Sequence, residues 1–120
     1  SFDILLWKEA GLMGKKPLEA LTEPMFYVLM AFLRQERCGT EAAEFIAAKT
    51  RGRVRLGPGT LYTILGKFEE EGLLQEVSVL GRKRTYRLTE KGRALYREEL
   101  ERLRACVADG DSEDCEEVQA

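Results

Sequence analysis

Residues 57–74 read GPGTLYTILGKFEEEGLL, and this stretch decides the fold. Gly57 and Pro58 open a helix, because proline at the first helical position gives up an N–H that has no partner there anyway. Leu61, Ile64, Leu65 and Phe68 recur at helical spacing and form one apolar face. Gly72 stops the helix, since glycine enters the left-handed cap conformation at little cost. The other face carries Gly59, Thr63 and Gly66, flanked by Thr60, Tyr62 and Lys67. These groups are mostly small, so another surface can approach the backbone closely. Acids appear only afterwards, at Glu69, Glu70 and Glu71. Such a helix suits entry into a nucleic-acid groove N-terminus first, where its dipole is positive.

Upstream, Thr22 is placed to cap a helix with Glu23 and Pro24 in its first turn. Met25 to Leu33 is apolar almost all round, which makes this helix central to the core. It is predicted to end near Cys38 and Gly39. Thr40 is predicted to cap a second helix, with Ala42, Ala43, Phe45 and Ile46 facing inward. Lys49 to Arg55 is a basic connection, and Val54 to Leu56 is a candidate short strand. Helix, short helix, then a third helix entered through glycine is the helix-turn-helix order.

Downstream, Leu74 to Leu80 alternates in part and reads as a strand. Gly81 and Arg82 turn the chain, and Arg84 to Leu88, rich in Thr, Tyr and Arg, returns it. This hairpin is a wing whose tip, Arg82-Lys83-Arg84, is the densest positive spot in the sequence. Thr89 is predicted to cap the last helix. Its apolar residues Tyr96, Leu100, Leu103 and Val107 make a narrow seam, closer to a coiled-coil stripe than to a core stripe. Packing on its own domain is one reading of that seam; pairing with a second copy is the one adopted. From residue 109 the chain is acidic and polar and is expected to be disordered. Residues 1–17 hold Phe2, Ile4, Leu5, Leu6 and Trp7, an apolar arm expected to cover its own domain or a second subunit.

At 120 residues, 44% hydrophobic and 33% charged, the chain is expected to be one soluble domain with appended arms. No apolar run approaches the roughly 18 residues of a membrane span, and Asp3 and Glu9 interrupt any secretory signal, so a cytoplasmic location is expected. The net charge of −2 argues against nucleic acid, but the distribution reverses this. Lys49 to Lys67 holds five bases and no acid, and Val77 to Leu88 holds four bases and no acid. Asp109 to Glu117 holds six acids and no base. Phosphate affinity follows the local basic face rather than the sum. Cys38, Cys106 and Cys115 are widely spaced and there is no histidine, so neither a zinc site nor another cofactor is expected. No nucleophile motif and no phosphate-binding glycine loop is present, which argues against an enzyme.

The run at 57–74, with GRKRTYRLTEKGR at 81–93 and LTEPMFYVLMAFL at 21–33, resembles the PadR-type winged-helix transcriptional regulators. The resemblance covers Leu18 to Val107. It implies an α+β, mostly helical winged helix-turn-helix with an N-terminal arm and a C-terminal dimerisation helix. On this reading residues 18–88 form the DNA-binding domain, 89–108 the dimerisation helix and 109–120 the tail. The residues expected at DNA are Thr60, Tyr62, Thr63 and Lys67 of the groove helix, Arg53 and Arg55 of the basic loop, and Arg82, Lys83 and Arg84 of the wing. Threonine hydroxyls and methyls can reach base edges. From the residues alone Tyr62 is equally a phosphate donor or an aromatic flanking the core; the resemblance, in which the tyrosine of TLY faces DNA, favours contact. Wing arginines suit the negative potential of a minor groove. Tyr96, Leu100, Leu103 and Val107 are expected to build a homodimer that reads a pseudo-palindromic operator, its groove helices roughly 34 Å apart. The resemblance also implies ligand-responsive repression by a small-molecule effector. Multidrug-sensing members carry a tryptophan where this chain has Leu103, a departure that removes the planar stacking partner. The alternative is a winged helix that binds another protein through its apolar arm, seam and acidic tail.

Overall fold

The computed structural model describes residues 21–119. The expected apolar arm, with Trp7, lies outside the described residues. The described residues form four helices and one antiparallel sheet, in the order α1 (Glu23–Ala31), β1 (Arg37–Cys38), α2 (Gly39–Lys49), α3 (Pro58–Glu70), β2 (Leu74–Leu80), β3 (Lys83–Leu88) and α4 (Glu90–Gln119).

Helix α1 begins where the sequence indicates: the Thr22 side chain accepts from the Met25 N–H at 3.3 Å, with Pro24 in the first turn. It stops at Ala31, earlier than expected. Two arginines from elsewhere cover the carbonyls at this end: Arg37 Nε donates to Ala31 O at 2.6 Å, and Arg93 Nη2 donates to Leu33 O, just past the helix, at 3.2 Å. The freed segment reaches Arg37 and Cys38, which pair with Tyr86 and Thr85 of β3. This strand replaces the one expected over Val54–Leu56. There the backbone is coil, because Arg51 and Gly52 both take positive φ (53° and 80°) and the Thr50 hydroxyl captures the Val54 N–H at 3.0 Å. The N-cap of α2 is Cys38 rather than Thr40; the Glu41 carboxylate three residues on accepts the Cys38 N–H at 2.8 Å.

The sheet order is β1-β3-β2. Gly81, at φ 63°, supplies the first central residue of the two-residue β2–β3 turn. A bulge between Glu76 and Ser78 leaves Val77 unpaired. The core gathers Val28 and Leu29 of α1, Ile46 of α2, Leu65 and Phe68 of α3, and Leu73 and Leu74 at the base of the wing, all but sealed from solvent. The Phe32 ring meets Tyr86 edge-on at 6.3 Å between centroids.

Helix α4 departs from expectation twice. Tyr96 is buried and stacks on Phe26 of its own α1, with centroids 4.9 Å apart and planes within 9°. Leu100 and Leu103 lie partly buried against the same core, so the upper seam packs in part on its own domain. Val107, by contrast, is 62% exposed. The segment from 109, expected to be disordered, continues as helix through Gln119. It contains no proline, and adding residues to an existing helix costs far less than nucleating one.

Candidate nucleic-acid interface

Helix α3 is built as its sequence dictates. Gly57 is the N-cap, Pro58 follows it, and no acid occupies the first turn. Leu61, Ile64, Leu65 and Phe68 are buried. Gly72 ends the segment at φ 78°. On the outward face Thr60, Tyr62, Thr63 and Gly66 are exposed and Lys67 is half-buried. A methyl group added at Gly59 or Gly66 would meet nothing within 4 Å. The backbone of this face therefore stands open to a large partner.

The wing folds over beside it. Tyr62, 50% exposed, shares with Arg82, Lys83 and Arg84 a groove of about 510 Å³ whose floor includes Gly39 and Glu41 of α2. Tyr62 lies flat enough on α2 that a Cβ at Gly39 would fall 2.8 Å from its hydroxyl. Tyr62 thus packs against α2 and lines the groove. All three wing cations are exposed. Arg82 caps the turn, Lys83 Nζ lies 3.9 Å from Glu41, and Arg84 Nε lies 3.4 Å from Glu76. The register Glu76↔Tyr86 and Val79↔Arg84 puts Glu76 and Arg84 on one face of the hairpin.

The basic loop is less uniform than its composition. Arg53 donates to the Glu23 carboxylate at 2.7 Å and to the Tyr27 hydroxyl at 3.0 Å. The Glu23 carboxylate raises the Arg53 guanidinium above its ordinary range, first by hydrogen bonding and then by charge. Arg53 therefore clamps the loop to the start of α1 and does not line the groove with Tyr62. Arg55 is exposed, and its guanidinium lies over Gly52. Composition hid the acids that answer these bases, Glu23, Glu41 and Glu76. One signal for Glu41 was present: it stands three residues after the α2 cap, the acid position of a capping box, although the cap is cysteine instead of serine or threonine.

Among the described residues no group of His, Cys, Asp and Glu side chains could hold a metal ion, and no helix is long and apolar enough to cross a membrane. Cys38 is buried, while Cys106 and Cys115 are exposed on α4.

A helix-turn-helix whose third helix is flanked by a basic antiparallel hairpin is a winged helix-turn-helix, and that is the class of this molecule. The chain belongs to the PadR-like family of transcriptional regulators, whose profile matches residues 28–98; it is a family of regulators and not of enzymes. A search of curated protein sequences finds no significant match. Solved structures share the fold at low identity. A transcriptional regulator from Clostridium thermocellum superposes with a TM-score of 0.65 at 21% identity, over 73% of this chain and 89% of that one. A PadR family regulator from Clostridium difficile gives 0.64 at 17% identity, over 73% and 94%. Bacillus subtilis PadR, solved in complex with operator DNA, gives 0.59 at 18% identity over 66% of this chain and 48% of its own.

Proposed function

We propose that this protein is a sequence-specific double-stranded DNA-binding repressor that acts as a homodimer on a pseudo-palindromic operator. The observation that carries the reading is the open, acid-free face of α3 standing beside a groove that also receives Arg82, Lys83 and Arg84. Thr60, Thr63 and Lys67 read or brace the major groove, Tyr62 reaches a phosphate at its edge, and the wing lies along the adjacent backbone. That Bacillus subtilis PadR, which shares the fold, was solved with operator DNA supports a DNA partner. Arg55 adds a phosphate contact, while Arg53 positions the loop. The dimer uses the part of the seam that the domain leaves open, Val107 with the half-exposed sides of Leu100 and Leu103, since Tyr96 is stacked into the protomer's own core. A small-molecule effector acting in the cytoplasm belongs to the same reading.

The test is fluorescence anisotropy with DNA from the protein's own upstream region and with random duplex, across a salt series. Replacing Arg82, Lys83 and Arg84 with alanine weakens binding to both duplexes and flattens the salt dependence, because each lost phosphate contact removes ~0.9 from the slope of log K against log salt. A parent protein that never prefers its upstream DNA over random duplex sinks the regulator reading in favour of a protein-interaction module. Val107→Asp tests the dimer: sedimentation shifts to monomer with helicity intact, and an unchanged dimer places the interface elsewhere. Footprints with and without candidate ligands test the effector.

A further inference from the structure

The wing carries its own anions. Lys83 faces Glu41 and Arg84 faces Glu76, whereas Arg82 has no acidic partner within ion-pairing distance among the described residues. The two acids are held differently, Glu41 by the backbone and Glu76 by its seclusion beside Arg84. Glu41 Oε1 accepts the Cys38 N–H at 2.8 Å, which anchors the carboxylate at the start of α2 and leaves Oε2 aimed across the groove at Lys83. That backbone hydrogen bond, with the nearby Lys83 and Arg37 charges as lesser causes, keeps the Glu41 carboxyl below its ordinary range and so ionised. Glu76 Oε2 is shut off from solvent and accepts no hydrogen bond. Its compensation is the Arg84 charge 3.4 Å away, because a secluded carboxylate oxygen without a partner is costly. The Tyr86 hydroxyl first, then the Glu76 charge and last Glu69 of α3 hold the Arg84 guanidinium above its ordinary range.

We propose that Glu41 and Glu76 sheathe the wing, holding Lys83 and Arg84 until phosphates seated by a matched duplex displace them. The inference rests on the DNA-binding reading above. On arbitrary duplex α3 does not settle in the groove, the wing meets no fixed row of phosphates, and the two cations stay with their carboxylates. On the operator, α3 locks the duplex against the groove. The competing phosphates are then supplied at high effective concentration. The wing thus has a searching state, in which Arg82 alone is bare, and an engaged state, in which all three cations face DNA. The acids lower absolute affinity for both kinds of duplex. What they separate is the number of phosphates each complex contacts.

The experiment compares the parent with Glu41→Gln, Glu76→Gln and the double variant, on upstream DNA and random duplex over a salt series. Glutamine at position 41 still accepts the Cys38 N–H, so the α2 cap survives. A second double variant, Glu98→Gln with Glu113→Gln on α4, removes the same charge far along the chain from the wing and controls for net charge. For the parent, the salt slope on its operator exceeds that on random DNA by up to ~2, at ~0.9 per phosphate. For the Glu41/Glu76 variant, random-duplex affinity rises roughly two- to fivefold per released cation, the range of an exposed ion pair. Its random-duplex slope steepens toward the operator value. Random-duplex slopes and affinities equal to those of the α4 control overturn the sheath. Glu41→Gln alone reads Lys83 separately if the change at Glu76 harms folding. A parent without operator preference fails the regulator reading instead, and the random-duplex comparison still decides whether the acids hold the wing.

Discussion

Replacing Gly92 by alanine sets two physical effects against each other. Gly92 lies in the first turn of α4, where alanine is normally the better residue by ~0.8–1.0 kcal/mol. The tertiary structure opposes it. A Cβ there would press directly on the Leu73 carbonyl oxygen and fall 2.6 Å from Leu88 Cδ1 and 3.2 Å from the Leu73 carbonyl carbon. The obstruction is chiefly backbone, and that backbone is already committed. Leu73 O accepts the Thr89 N–H at 3.0 Å, and the Thr89 hydroxyl lies within 2.7 Å of Gly72 O and 3.1 Å of Leu73 O while it accepts the Gly92 N–H at 3.0 Å. Moving α4 outward breaks the cap and loosens Leu73 and Leu74, two of the best-buried residues. Overpacking of this kind costs ~1–3 kcal/mol, and a fixed backbone obstacle puts it at the upper end. After subtracting the propensity gain, the net loss is ~2 kcal/mol, which lowers Tm by roughly 8–16 °C for a domain near this size. Urea and thermal unfolding at one protein concentration measure it, with Gly110→Ala as the internal control. A methyl at Gly110 meets nothing within 4 Å, so that variant gains stability. If Gly92→Ala is as stable as the parent, or gains like Gly110→Ala, the close approach of α4 to the base of the wing is wrong.

Three further outcomes are expected. Gly66→Ala, in open space on α3, stabilises the fold by ~0.8–1.0 kcal/mol through helix propensity yet weakens operator binding, because its methyl stands on the face that meets DNA; unfolding and anisotropy on one sample show both, and unchanged affinity moves DNA off this face. Gly39→Ala pushes the Tyr62 ring out of its seat with little loss of stability, since the obstacle is the far end of a side chain; operator affinity should fall toward that of Tyr62→Phe, and unchanged affinity removes the Tyr62 hydroxyl from the interface. Glu41 and Glu99 both titrate below the ordinary 4.5, Glu41 chiefly through the Cys38 N–H and Glu99 chiefly through the Arg102 guanidinium. Their contribution to stability is therefore complete above about pH 4.5 and is lost as pH falls through the depressed folded-state values. Urea midpoints from pH 6 to 3 should drop less steeply for the Glu41→Gln/Glu99→Gln variant than for the parent; equal slopes refute the linkage.

Much of this molecule is legible in its residues because the determining interactions are local. The apolar spacing of Leu61, Ile64, Leu65 and Phe68, the Pro58 start, the Gly72 stop, the Thr22 and Thr89 caps and the Gly81 turn each involve groups a few positions apart, and each is found where the sequence puts it. The outward face of α3 follows from the same periodicity, since burying four residues of a helix leaves the opposite ones to solvent. What the sequence could not decide lies between distant segments. Strand β1 is two residues long and exists only because β3 offers it a ladder edge. Tyr96 has the spacing of a dimer seam, but the nearness of Phe26 turns it into core. Arg53 and Lys83 read as free positive charge until folding brings Glu23 and Glu41 alongside. Periodicity and capping report which way a side chain faces its own helix or strand; only the packed arrangement of those elements decides which opposite charge or ring it meets there.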